Sequence, residues 1–365
     1  MIQAPFPWFG GKSRAADLIW QRLGNCGNYV EPFAGSLATL LARPHAPGIE
    51  TVNDLDGFIA NFWRAAAQQP DEVACQCDWP VNECDLHARH LWLLAQRDEL
   101  VDRLQGDPDF CDAKIAGWWV WGISSWIGSG WCSGKGPWVE QGGKMVDSRQ
   151  LPHLSASQGV NRQLPHLSAS QGVNRQLPHL SGGKGVNRKL PHLCGGRGVN
   201  RKLPHLGDAG TGVHRESVLT DYFAKLAHRL RHVRVCCGDW SRVLGDSPTV
   251  KLAPVTAIVL DPPYDTEANR RADVYTHDAQ GISAAVREWA LEHGDDPRLR
   301  IVLCGYEGEH DMPGWSKVPW KANGGYGNKG NGQGRDNAAR ERLWFSPHCI
   351  PVVPRQASMF DEVAA

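Results

Sequence analysis

Nowhere among the 365 residues is there a run of about 18 consecutive apolar side chains, so no segment reads as a membrane-spanning helix. The first residues, Met1-Ile2-Gln3-Ala4-Pro5, lack the basic and then apolar stretches of a secretory leader, and none is expected. The 11 cysteines follow no framework spacing, which suits reduced thiols in a cytoplasm better than disulfides. Cys75, Cys77, Cys84 and His87 lie near one another, but without paired Cys-x2-Cys spacing, and no metal is expected there. Acidic residues are missing altogether from Ser148 to Gly207. The formal net charge of zero therefore conceals an asymmetry: from Gln141 to Val235, 15 Lys or Arg face four acidic residues. A basic middle in an acidic body points to a polyanionic partner, with a solvated basic loop as the plainer alternative.

What is present reads as α/β at both ends. In residues 1–70, Tyr29-Val30-Glu31 is a short strand and Pro32 to Ser36 a tight loop, followed by a helix bearing Leu37, Leu40 and Leu41. Glu50 to Asn53 is the next strand, and Phe58, Ile59, Phe62 and Trp63 mark one face of the next helix. The pattern resumes in residues 216–350. An apolar stripe runs from Val218 to Leu230, and strands are expected at Val233–Val235, Ala257–Leu260, Ile301–Leu303 and Arg342–Phe345. A helix carrying Ile282, Val286, Trp289 and Ala290 stops near Gly294. Strands alternating with helices predict a doubly wound, mostly parallel sheet covered on both faces.

Residues 71–215 depart from that pattern. They begin helical and then become rich in tryptophan: Trp118, Trp119, Trp121, Trp126, Trp131 and Trp138, most of them expected to be packed core. Five tandem copies of a unit of about 13 residues follow, over 150–215. The first two are identical, and each copy supplies too few apolar side chains to offset the ordering entropy of an independent solenoid, about 1–2 kcal/mol per residue. One arginine recurs per unit, Arg162, Arg175, Arg188, Arg201 and Arg215, each preceded by Asn or His. Arginine contacts phosphates or pairs with guanine, and asparagine pairs with adenine; tolerated duplication in an exposed loop is the competing explanation. Asn323–Asn337 reads as a Gly-rich loop and 351–365 as a tail.

The strongest chemical signal is Asp261-Pro262-Pro263-Tyr264, directly after an apolar strand. The prolines keep the loop extended and carry no N–H, so local carbonyls stay free as acceptors. The Asp261 carboxylate and the Pro262 carbonyl can each accept one hydrogen of an exocyclic amino group, and Tyr264 offers a ring face. Two acceptors on one NH2 localise the nitrogen lone pair for attack on a sulfonium methyl. The second signal, Glu31-Pro32-Phe33-Ala34-Gly35-Ser36, lies between strand and helix, where doubly wound folds hold nucleotide-like ligands, although it is not a G-x-G-x-x-G. Asp54 follows Gly35 by about the 20 residues at which an acid reaches ribose hydroxyls. Trp8-Phe9-Gly10-Gly11-Lys12 permits close backbone approach and offers a positive charge to a carboxylate, and Asp239-Trp240 offers an acceptor beside a stacking ring.

Together, in this order, the four segments resemble the Dam-like DNA adenine methyltransferases with α-type motif order, and phage-associated members in particular. The resemblance covers 1–60 and 215–350. It implies that Trp8 to Lys12 and Glu31 to Ser36 hold the methionine part of S-adenosylmethionine, Asp54 its ribose, and Asp239 with Trp240 its adenine. It also implies that Asp261 to Tyr264 hold a flipped-out target base and that 71–215 recognises double-stranded DNA. Fivefold copying of the Leu-Pro-His-Leu unit is where this chain departs from the family. A monomeric cytoplasmic adenine-N6 methyltransferase is the expectation. Cytosine-N4 methylation and a catalytically silent DNA-binding or antirestriction protein are the alternatives.

Overall fold

A computed structural model describes residues 2–8, 10–107, 109–126, 130–133, 138–147, 215–264, 281–320 and 340–351. Phe9, Arg162, Arg175, Arg188, Arg201 and the loop 323–337 lie outside the described residues, and the side chain of Arg215 does too.

In chain order the first elements are α1 (Ala16–Leu23), β1 (Asn28–Glu31), α2 (Ala38–Leu41), β2 (Ile49–Asp54) and α3 (Gly57–Gln68). Three helices follow, α4 (Pro70–Cys77), α5 (Glu83–Gly106) and α6 (Ala113–Ser125), then a hairpin of β3 (Trp138–Gln141) and β4 (Lys144–Asp147). The second half comprises α7 (Arg215–Leu230), β5 (Val233–Cys237), α8 (Asp246–Val250), β6 (Thr256–Leu260), α9 (Ile282–His293), β7 (Leu299–Tyr306), β8 (Ser316–Pro319) and β9 (Glu341–Phe345). Side-chain caps start the helices where short polar residues precede them: Asp56 accepts from Phe58 N at 2.9 Å and Asp112 from Ile115 N at 2.8 Å.

The seven-stranded sheet has the order β5-β2-β1-β6-β7-β9-β8. Its first five strands are parallel, and β9 runs antiparallel between β7 and β8. This is the expected mostly parallel α/β fold. The chain proceeds outward in one direction from β1 and in the other from β6, so the order reverses between these two central strands. A crevice opens there beyond the strands' carboxyl ends.

Strand alternation divides the core into two layers. Tyr29, Ala257, Val259 and Val302 face the layer built by α1, α3 and α7, whereas Val30, Ile258, Leu260, Ile301 and Leu303 face α9. Helices α4 to α6 share the first layer, with Val73, Leu93, Leu100, Ile115 and Val120 in the same cluster as Phe62 and Trp63. Trp119, Trp121, Trp126 and Trp131 are buried in it. Trp118, half-buried, lies against the Arg89 guanidinium, which Trp79 and Trp121 also flank at 4.4 Å and 4.6 Å.

Glu50 ties the sheet to the helices around it. Its fully buried carboxylate accepts from Arg229 at 2.6 Å and 2.9 Å and from Arg43 at 2.9 Å. Removing it leaves two guanidiniums with only the backbone carbonyls of Cys26 and Leu40 and no counter-charge, so Glu50→Ala is expected to cost about 3–5 kcal/mol. Urea denaturation reads the loss, and a change below about 1 kcal/mol would show that the two arginines find other partners.

Candidate active site

The loop after β1 forms the crevice floor because its backbone is bent twice into the left-handed region, at Gly35 (φ 46°) and at Leu37 (φ 51°). It is anchored from both sides. Ala34 N donates to Asn53 O at 2.8 Å, Gly35 N to Asp54 Oδ2 at 3.0 Å, and Trp63 Nε1 to Gly35 O at 2.9 Å. A Cβ on Gly35 would lie 2.5 Å from Trp8 Nε1, so glycine lets the Trp8 indole close over the loop. Asn53 continues the frame, donating to Pro32 O at 3.1 Å and to Gly238 O at 2.9 Å, which fixes the turn that presents Asp239 and Trp240.

The result is an open cleft with an empty volume of about 1110 Å³. It brings together Trp8, Gly10, Gly11, Lys12, the whole of Glu31 to Ser36, Asp54, Asp239, Trp240, Asp261, Pro263 and Tyr264. Pro262 is part of the loop but not of the lining, whereas Leu55 and Asp56, not singled out from the sequence, and Ile282, named only as a helix position, do line the cleft. Five carboxylates, Glu31, Asp54, Asp56, Asp239 and Asp261, border the cleft with Lys12 as the one lining cation among the described residues. Such a wall fits a ligand with positive charge and several hydrogen-bond donors. Phe33 and Trp240 lie roughly parallel, with ring centroids 6.3 Å apart, at one side of it.

Burial sets the electrostatics. Desolvation pushes the Glu31 carboxyl up to about 8, against a lowering hydrogen bond from Tyr29 Oη at 2.8 Å. Desolvation likewise raises Asp54 to about 7, although Gly35 N and Asp56 N both donate to it. Between the usual carboxylate value of 4.5 and about 8, folded Glu31 holds more protons than unfolded Glu31. Its contribution to stability therefore falls as pH rises through that window, by at most about 1.4 kcal/mol per unit. Glu31→Gln is expected to flatten the pH dependence of the urea midpoint between pH 5.5 and 8. Identical slopes for variant and parent would dismiss the burial argument.

At the cleft's inner end Lys12 Nζ lies 2.7 Å from both Asp261 oxygens and 2.7 Å from Gly10 O. It also lies 3.0 Å from Tyr264 Oη. The positive charge that the sequence offered to a carboxylate meets, in this structure, the chain's own Asp261. Asp261 together with Glu341 and Cys304 outweighs desolvation and raises the lysine's pKa, so it is a firm cation. Tyr264 is only 7% exposed, because its hydroxyl is drawn inward to Lys12, Asp261 Oδ1 (3.1 Å) and Glu341 Oε2 (3.0 Å). Its ring packs edge-on against Tyr306, so it presents less open face than a free stacking platform.

Glu341 was not expected. Its one sequence signal is an acidic residue opening the strand β9 ahead of the apolar Leu343-Trp344-Phe345, and burial pushes its carboxyl up to about 7. Trp320, also unforeseen, lies 5.5 Å from Lys12 Nζ by its ring centroid, and its backbone N–H donates to Glu341 O at 3.2 Å. Among the described residues no group of three or more His, Cys, Asp or Glu is arranged to hold a metal. No helix there is long and apolar enough to cross a membrane.

No curated protein matches the chain. Residues 8–86 match the family model described as D12 class N6 adenine-specific DNA methyltransferase, a span that takes in the Gly-Gly-Lys segment, the Glu31–Ser36 loop and Asp54. That span is similar to the D12 class N6 adenine-specific DNA methyltransferases, and it is set into a mostly parallel α/β sheet whose crevice also receives the Asp-Pro-Pro-Tyr loop.

Proposed function

We propose that the chain transfers a methyl group from S-adenosylmethionine to N6 of an adenine flipped out of double-stranded DNA. The observation that carries this reading is the convergence, in one cleft, of an acid-lined pocket and the Asp261–Tyr264 loop. Bound there, S-adenosylmethionine would supply a methyl group carried on a positively charged sulfonium. Glu31, Asp54 and Asp239 are the acceptors for its ammonium, hydroxyl and amino donors, and Phe33 with Trp240 flanks its flat heterocycle. The glycines at 10, 11 and 35 let backbone groups approach it closely.

The chain's own work is to prepare the amine. Asp261 and the Pro262 carbonyl accept the two N–H hydrogens, which turns the nitrogen lone pair out of conjugation with the ring. Each carboxylate oxygen has a second acceptor position, so Lys12 can hold Asp261 from behind while the amine binds in front. Tyr264 borders the base and braces Asp261 through its hydroxyl. Lining the approach with protein in place of water strengthens every one of these contacts.

The segment 71–215 is the target-recognition region in this reading. Arg162, Arg175, Arg188, Arg201 and Arg215 contact DNA, which predicts affinity falling steeply with salt. The protein acts as a cytoplasmic monomer with a cofactor-binding part at 1–70 and a catalytic part at 216–350. Digesting duplex DNA methylated with labelled donor to deoxynucleosides tests the whole: the label is expected in N6-methyl-2′-deoxyadenosine. Label in N4-methylcytosine would replace the target base, and DNA binding without any transferred label would replace the activity.

A further inference from the structure

We propose that Glu341 is the final proton acceptor of the transfer, reached from the target amine through Asp261 and the Tyr264 hydroxyl. The inference rests on the reading of the Asp261–Tyr264 loop as the amine site. The hydrogen-bond path is continuous, with Asp261 Oδ1 3.1 Å from Tyr264 Oη and Tyr264 Oη 3.0 Å from Glu341 Oε2.

The reaction creates a proton that must go somewhere. As the N–C bond forms, the S–C bond breaks with its electron pair left on sulfur, and the amine nitrogen carries one hydrogen too many. That N–H bond breaks toward Asp261. The Tyr264 hydroxyl then gives its own proton to Glu341 and takes the one from Asp261. Nothing is oxidised or reduced, and Asp261 and Tyr264 end as they began. Both Asp261 oxygens are already held by the Lys12 ammonium, so the carboxylate passes the proton on and does not keep it. Glu341 has no such direct bond to Lys12 among its hydrogen bonds, and it is buried, 4% exposed.

Its surroundings tune it for the task. From the N-terminal segment it faces Lys12, from the loop after β6 Asp261 and Tyr264, from β7 Cys304 and Tyr306, and from the turn after β7 Glu309; Arg340 precedes the strand and Arg342 follows Glu341 on it. Desolvation, Asp261 and Glu309 raise its pKa, Lys12 and the Tyr264 bond lower it, and it settles at about 7. It accepts a proton only when ionised, so the rate should rise with pH through that value and level off above it.

The test is single-turnover methylation of an adenine-containing duplex, at saturating DNA and donor, across pH 5.5–9. In the parent the rate constant is expected to climb about tenfold per unit below the inflection, as a single ionisation requires. Glu341→Gln, which keeps an acceptor for Tyr264, is expected to lose that limb and to run roughly 10²-fold slower at pH 8. Glu341→Asp should retain the limb. Tyr264→Phe should lose it with Glu341 still in place, which covers the case of a Gln variant that folds poorly. A second readout needs no turnover: the parent-minus-Glu341→Gln infrared difference titration should show one protonated-carboxyl band, beyond those of Glu31 and Asp54 that both proteins share. A Gln or Phe variant with the parental limb overturns the relay. If Asp261→Ala still methylates adenine, the amine site itself is wrong, a different failure from a dispensable Glu341.

Discussion

Asp261→Ala is expected to lower methyl transfer by at least roughly 10³-fold, at the upper end of what removing one group from a preorganised site costs. The carboxylate does two things that alanine cannot. It accepts an amine hydrogen, and it fixes the Lys12 ammonium, which sits 2.7 Å from both its oxygens. Folding should suffer far less than activity, because Lys12 retains the Gly10 carbonyl at 2.7 Å and the charges of Glu341 and Glu31 nearby. Calorimetry with S-adenosylmethionine is therefore expected to show binding within several-fold of the parent beside absent turnover. Measurable adenine methylation by the variant would remove the loop from the chemistry.

Lys12→Met should damage both folding and activity. Lys12 is 4% exposed and offsets Asp261 and Glu341, so the variant leaves those carboxylates without a counter-charge in a buried site. Breaking a buried pair from one side costs about 3–5 kcal/mol. The loss should grow with pH. Lys12 lowers the values of Glu31 and Glu341, so its removal raises both further above their unfolded values. The folded state then binds excess protons over a wider range, and stability declines as pH rises through it. Urea midpoints at pH 6 and pH 8.5 measure this; a deficit that shrinks at the higher pH contradicts the sign. Lys12→Arg is not expected to rescue, since a planar fork cannot place one nitrogen among Gly10 O, Asp261 and Tyr264 Oη.

Much of this site could be read as local runs. Trp8–Lys12, Glu31–Ser36 and Asp261–Tyr264 are contiguous, and each sits at the end of a strand or the start of a helix that its own apolar pattern announces. The strands at Tyr29, Glu50, Val233, Ala257, Ile301 and Arg342 were legible for the same reason, with boundaries shifted by a few residues at most. The pairing of Lys12 with Asp261 was not, because 249 residues separate them and no local rule links a Gly-Gly-Lys turn to a particular carboxylate. Glu341 was hidden in a strand pattern that registers only alternation. The insertion of β9 between β7 and β8 is a tertiary outcome that no window reveals. Helix α1 was legible in principle: Ala16, Ile19, Trp20 and Leu23 recur at helical spacing and are all buried.

The inner end of the cleft is assembled from near the start of the chain and near its end: Lys12 from before α1, Tyr264 from the loop after β6, Glu341 from β9. A ribosome emits these in that order, and the last arrives 329 positions after the first. Until β9 slots between its two neighbours, the emerging polypeptide displays a lysine and an aspartate with no third anchor. On the proposed reading, a polypeptide stopped upstream of that strand lacks Glu341 and is expected to fold its early helices without gaining the ability to methylate DNA.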